Sequence, residues 1–173
     1  MFEFQYHGQQ AKLAWYVQDL VVASLDAIYG QELLTRGSIK GTKTKITTQV
    51  LFEYLNKNAD LLLAMTCQQL DDLFINQKLK SAIKNSIWIN ISGKLLTDDA
   101  MFTHLWETTL KHISQMDKQK LVLEICEDTI AINDNIVIER IKSLQREGFK
   151  IAIDDFGSGH SNLIRLSQVN FDF

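Results

Sequence analysis

From Leu13 to Val22 the run Leu-Ala-Trp-Tyr-Val-Gln-Asp-Leu-Val-Val is rich in β-branched and aromatic residues and predicts a strand. After a break at Ala23-Ser24-Leu25-Asp26, residues Ala27 to Leu34 predict a second strand, closed by Glu32. About a dozen residues separate the two strand centres, too few for the helical crossover of a parallel pair, so these strands are expected to run antiparallel. Ahead of them, residues 1–13 are polar and mixed, and they are expected to form a short N-terminal arm or irregular lead-in.

Residues 35–43 (Thr-Arg-Gly-Ser-Ile-Lys-Gly-Thr-Lys) have the composition of a loop. Ile46, Val50, Leu51, Tyr54 and Leu55 then recur at helical spacing and predict a helix over 44–57. A second helical stretch is expected over roughly 59–81, with Leu62, Leu63, Leu70, Leu73 and Phe74 among its apolar positions. A strand follows over 86–91, then an amphipathic helix from Asp98 to Met116 whose aspartates suit its N-terminus. Residues 120–126 predict a strand, 134–147 a helix stopped by Gly148, and 149–154 a further strand. The last three strand centres lie about 30 residues apart, the spacing of successive βαβ units. Their apolar runs are continuous, as parallel strands buried on both faces require. The pattern is that of one α/β domain with a parallel sheet or barrel, opened by an antiparallel pair.

Composition narrows the function classes. At 173 residues, 46% hydrophobic and 23% charged, the chain is long enough for a core and unlike a disordered one. Cys67 and Cys126 are too few for a disulfide framework or a four-thiolate metal site. A net charge of −3 with four arginines argues against a DNA or RNA footprint. Apolar runs such as Leu61-Leu62-Leu63-Ala64-Met65 are too short to span a bilayer, and Met1-Phe2-Glu3-Phe4 lacks the marks of a signal peptide. A cytoplasmic protein is expected. The chain has no proline at all.

The chemistry-bearing residues are polar groups at the ends of apolar strands: Glu32, Asn90, Glu124, and the adjacent Asp154 and Asp155. One acidic residue at a strand end is most often a turn residue or cap. Glu124, however, interrupts Leu121-Val122-Leu123 and Ile125, and Asp154 and Asp155 repel each other unless a cation sits between them. Four carboxylates and an amide, all oxygen donors, suit magnesium or manganese first and calcium second, rather than zinc or copper. They suffice for two ions if one aspartate bridges, an arrangement suited to phosphodiester hydrolysis.

Gln31-Glu32-Leu33-Leu34-Thr35-Arg36, Asn90-Ile91-Ser92, Leu123-Glu124-Ile125-Cys126-Glu127 and Ile153-Asp154-Asp155-Phe156-Gly157-Ser158-Gly159-His160-Ser161 resemble, in order and approximate spacing, the motifs of EAL domains. These are bacterial phosphodiesterases that linearise cyclic di-GMP to pGpG. The resemblance covers the chain from about Trp15 onward, and its most specific piece is Asp-Asp-Phe-Gly-Ser-Gly. It implies an eight-stranded TIM-like (β/α)8 barrel with an antiparallel first strand, of which five to six strands are present. It implies Glu32, Asn90, Glu124, Asp154 and Asp155 as ligands of two Mg2+ or Mn2+ ions, with Glu32, Asp154 and Asp155 catalytic and Asp155 shared. It further implies Arg36 as a phosphate contact, Gln18 as a residue near a guanine, and Glu127 as support for the loop at 156–162. That loop couples dimerisation to metal binding in the family.

The departures are specific. Leu33 stands where the family has alanine, Asp19 where the first strand has proline, and His160 where a tyrosine is usual. Cys126 is expected to be a small core residue, and His7, His104, His112 and His160 to be ordinary surface, half-buried or loop residues. Val169-Asn170-Phe171-Asp172-Phe173 corresponds to the start of the family's sixth strand, ahead of its next lysine, its proposed general-base glutamate and a later glutamine. The chain length is below the roughly 200 residues of the smallest complete barrels. The expectation is therefore a cyclic di-GMP phosphodiesterase domain, with these residues inactive alone. The alternative is a non-catalytic cyclic di-GMP-binding or protein-interaction module. Expected partners are cyclic di-GMP, a second copy through loop 156–162 or strand exchange, and a sensor domain in a longer parent.

Overall fold

The predicted antiparallel pair forms, and both strands run longer than their apolar cores suggest: β2 (Gln9–Val22) pairs with β3 (Ala27–Ile39) from Ala11 opposite Ile39 to Val22 opposite Ala27. The computed structural model describes residues 2–22, 24, 27–76, 79, 83–126, 129, 135–154, 169 and 171–172. The first residues are not an irregular lead-in. Phe2–Tyr6 is a strand, β1, paired antiparallel with β2. His7 and Gly8, at φ 47° and 79°, make the two-residue turn whose twist matches flanking strands. The signal was present as the alternation Phe2, Phe4, Tyr6, and Tyr54 from the first helix donates to the Gln5 carbonyl at 2.9 Å.

The expected loop at 35–43 is also corrected. Thr35 to Ile39 continue β3, because Ala11 to Trp15 offer them a complete backbone ladder. Only then does the chain turn, at Gly41 with φ 75°, into the two-residue strand β4 (Lys45–Ile46). Two helices follow, α1 (Thr48–Lys57) and α2 (Ala59–Leu70), the latter continued by a π-helical turn, Asp71–Ile75. Next come β5 (Ile87–Ile91), α3 (Gly93–Thr97) and α4 (Asp99–Thr108). The expected helix 98–116 is broken. Asp98 caps it, accepting from Met101 N at 2.9 Å, but it ends at Thr108 and gives way to a 3-10 turn and the short α5 (Gln115–Lys118). Ser114 starts α5 by accepting from Asp117 N, a local alternative to helix continuation.

β6 (Leu121–Cys126), α6 (Asn135–Arg146) and β7 (Lys150–Asp154) complete the described elements. Helix α6 ends in a Schellman arrangement: Gly148 has φ 96°, and the Phe149 amide reaches the Leu144 carbonyl at 3.1 Å. Strand order is β1-β2-β3-β5-β6-β7, with β3, β5, β6 and β7 mutually parallel. β4 pairs with β3 on the edge that β5 also uses.

The sheet has two unlike faces. Ile87, Ile89, Ile91, Leu121, Leu123, Ile125 and Ile151 turn towards the helices and are buried with Leu51, Leu55, Leu62, Leu105, Ile141 and Leu144. The alternate residues, Trp88, Asn90, Val122, Glu124, Ala152 and Asp154, belong to the other face, which corresponds to the inside of a barrel. Period-two alternation thus places every candidate ligand among them on one side of the sheet. Among the described residues, no helix is long and apolar enough to cross a membrane.

Candidate functional site

The C-terminal ends of parallel strands are where α/β proteins gather their ligand-binding groups. Here β3 brings Glu32, β5 Asn90, β6 Glu124 and β7 Asp154, with Asn90 directly opposite Glu124 in the ladder. The Asn90 amide nitrogen donates to Glu32 Oε1 and to Glu124 Oε2, both at 3.3 Å. One amide therefore spans two carboxylates. Glu32 lies within β3 rather than closing it, since the strand runs on to Ile39.

These groups are placed against their own electrostatics. Burial, then the Asp154 carboxylate, pushes the Glu32 carboxyl up, opposed by the Asn90 hydrogen bond and Arg36. Burial, then the Glu32 and Asp154 charges, pushes Glu124 up to about 7. Like-charged carboxylates this close demand a proton or a cation.

A cation fits the donor set. All four side chains offer oxygen, and the amide of Asn90 needs only a half-turn to present Oδ1 where its nitrogen now lies, an exchange that leaves its shape unchanged. Among the described residues, no three acidic, histidine or cysteine side chains are drawn in tightly enough to grip an ion by themselves. Closure of the set around an ion would thus need that amide and a contraction of the carboxylates. Asp155, Glu127, His160 and the loop at 156–162 lie outside the described residues.

Beside the carboxylates is an open cavity of about 440 Å³. It lies where β3 and β5 diverge, bounded by Glu32, Arg36 and Asn90 and floored by Phe52 of α1 and Met65 and Gln69 of α2. Arg36 is exposed at its rim, with Nη1 donating to the Thr35 carbonyl at 3.0 Å. Gln18 is exposed opposite Glu32 in the β2–β3 ladder, and with Arg36 it lines a second cavity on the same face. Cys126 is not a core residue. It ends β6 exposed, on the same side as Glu124, and lines the first cavity, because the alternation that buries Ile125 turns residue 126 to the opposite face. His7, His104 and His112 are exposed. The residues that sequence reasoning missed come from α1 and α2, where a helix carries no mark of which turn will face a strand end.

Gly30 sits behind this cluster with little room. A Cβ there would lie 2.6 Å from Ser86 Oγ and 2.9 Å from Trp88 Nε1, and the indole cannot retreat as a hydroxyl can. Gly30→Ala is expected to lower stability by about 1–3 kcal/mol and to shift tryptophan emission, read by thermal melts and fluorescence. An unchanged melting temperature and spectrum would mean that the β3–β5 contact is looser than described.

The family model for the EAL domain matches residues 7–173. A cyclic di-GMP phosphodiesterase of Borreliella burgdorferi, PdeA, is 34% identical over 111 residues, covering 60% of this chain and 16% of that protein. Cyclic di-GMP phosphodiesterase TpdA of Vibrio parahaemolyticus is 25% identical over 142 residues, covering 82% of this chain and 22% of its own length. Among solved structures, the PaMucR phosphodiesterase in complex with c-di-GMP superposes with a TM-score of 0.73 at 23% identity, covering 92% of this chain and 64% of that one. The chain therefore spans a minor part of these relatives and about two thirds of the solved domain.

Proposed function

The chain belongs to the EAL domain family, and from that premise we propose that it carries a metal-dependent site for hydrolysing cyclic di-GMP to linear pGpG. The observation that carries this reading is the convergence of Glu32, Asn90, Glu124 and Asp154 at the parallel strand ends, with Glu124 pushed up to about 7 by burial and its acidic neighbours. Such a cluster is costly unless a cation compensates it. Glu32, Asn90, Glu124 and Asp154 would hold Mg2+ or Mn2+, and Asp155 would be shared between two ions. When bound, the ions supply polarisation of the phosphodiester and activation of the attacking water.

The chain's own residues do the rest. Arg36, at the cavity rim, takes a phosphate oxygen, and Gln18, across the ladder from Glu32, meets a guanine edge. Glu32, Asp154 and Asp155 are the catalytic carboxylates, and Glu127 supports the loop after them. In the reaction, water adds to phosphorus and the bond to the ribose 3′ oxygen breaks. The products are a 5′-phosphate and a 3′-hydroxyl. We place the protein in the cytoplasm, with a second copy met through loop 156–162 or by strand exchange and a sensor domain elsewhere in a longer parent.

A second reading, binding without turnover, is favoured by Asn90, whose amide links Glu32 and Glu124 without an ion. One experiment separates the two. The purified chain is incubated with cyclic di-GMP and Mg2+ or Mn2+, and the linear dinucleotide is followed by chromatography beside direct binding. For these 173 residues alone we expect ion-dependent nucleotide binding with little or no product, since of the seven described strands only β2, β3, β5, β6 and β7 correspond to the eight of a barrel. Ion-dependent product that Glu32→Ala abolishes would establish catalysis in this segment alone. Binding that ignores both the ion and Glu32→Ala would sink the metal site.

A further inference from the structure

Parallel pairing in the sheet is uneven. β5 pairs with β6 from Ile87 opposite Leu121 to Ile91 opposite Ile125, and β6 with β7 from Val122 opposite Lys150 to Cys126 opposite Asp154. β3 and β5 are in register only at Gln31 opposite Ile87 and Glu32 opposite Trp88, after which they part around the cavity. Yet this short seam decides whether Glu32 meets Asn90. A slip of one residue there would turn Glu32 to the helix side.

A polar cluster sits at that seam. Gln31 is 3% exposed and uses both ends of its amide: Nε2 donates to Asp19 Oδ1 at 2.8 Å, and Oε1 accepts the Lys84 backbone amide at 2.8 Å. Lys84 Nζ returns to Asp19 Oδ2 at 3.0 Å, and the Gln31 backbone N–H donates to the Ser86 carbonyl at 2.8 Å. Asp19 pairs with Gln31 in the β2–β3 ladder, one residue after Gln18 opposite Glu32. The three groups close a ring joining β2, β3 and the segment that enters β5.

We propose that Asp19, Gln31 and Lys84 form a clamp that fixes β3 against β5 and so sets Glu32 beside Asn90 for ion and substrate binding. Asp19 and Gln31 are positioning residues, and this inference rests on the proposed metal site. Side chains that are 37% and 54% exposed make Asp19–Lys84 a weak ion pair. The buried amide of Gln31 carries more, because leaving either end unpaired costs its desolvation. Asp19 occupies the position of a proline in the EAL motif that this strand resembles.

The test compares the parent chain with Asp19→Ala, Gln31→Leu, Asp19→Asn and Leu144→Ala. Hydrogen exchange of segments 29–34 and 84–89 is measured without metal, and Mn2+ affinity by calorimetry. Asp19→Ala and Gln31→Leu are expected to speed exchange in both segments and to weaken Mn2+ binding about tenfold, the size of effect typical of lost outer-shell partners. Asp19→Asn, which keeps an acceptor for Gln31, is expected to restore most of both. Leu144→Ala, buried under the sheet far from the seam, should lower the melting temperature and leave exchange at the seam and Mn2+ affinity near the parent's. Parent-like exchange in Asp19→Ala and Gln31→Leu overturns the clamp. Faster exchange with unchanged Mn2+ affinity overturns its role in positioning the site. If the parent binds no Mn2+, the metal site itself fails, whereas the exchange data still judge the clamp.

Discussion

Glu124→Gln is expected to weaken Mn2+ or Mg2+ binding by at least about 100-fold, the upper end of what loss of an outer-shell partner costs, while making the ion-free fold more stable at pH 8. The two effects share a cause. The Glu124 carboxyl is held at about 7 by burial and by Glu32 and Asp154, whereas its ordinary value is 4.5. Between those values the folded chain keeps a proton that the unfolded chain has lost, so stability falls as pH rises through that window. The contribution is fully present below pH about 4.5 and lost above pH about 7. With solvent access to this half-buried group allowed for, the loss is about 1–2 kcal/mol.

Glutamine keeps the shape and removes the titration. Its ion-free melting temperature is expected to exceed the parent's by roughly 2–8 °C at pH 8 and to match it at pH about 4. Added Mn2+ should stabilise the parent at pH 8 and leave the variant unmoved. Thermal melts at the two pH values, with and without Mn2+, read all of this. Parallel pH profiles for parent and variant would show that Glu124 is neither strained nor a ligand.

The residue before it should behave in the opposite way. Leu123 is 1% exposed on the helix face of β6, between β5 and β7. Leu123→Ala is expected to cost about 3 kcal/mol, within the range for a cavity left in a packed core. Its melting temperature should fall by roughly 6–12 °C. Mn2+ affinity, measured where the variant is still folded, should change less than that of Glu124→Gln. A comparable loss of affinity would mean that the site is disordered by any softening of β6.

The contrast between neighbours shows what could be read directly. Continuous apolar runs identify β5, β6 and β7, and their spacing makes them parallel. Polar residues in or at the end of those runs stand out, which makes Glu124, Asn90 and Asp154 visible in the sequence as candidates. Residues 35–39 were not legible. Thr35-Arg36-Gly37-Ser38 has turn composition, and it is strand only because Lys12 to Trp15, about two dozen residues earlier, complete its ladder. Phe2, Phe4 and Tyr6 alternate visibly, but a strand of five residues needs a partner before the pattern means anything.

Cys126 illustrates the other limit. A small residue beside an apolar strand reads as core, and only the face assignment at the strand's end turns it into the cavity. Likewise Asp19, Gln31 and Lys84 lie in separate stretches of chain, and nothing local joins them. The sequence by itself determined the parallel strands β5, β6 and β7, their order and the presence of an oxygen-donor set, because these follow from the spacing of apolar runs and from polar groups placed among them. Only the tertiary structure decided the register of β3 on β5, the bridging of Glu32 and Glu124 by Asn90, and the raised Glu124 carboxyl. Those depend on long-range pairing and desolvation, which exist only once the strands are side by side.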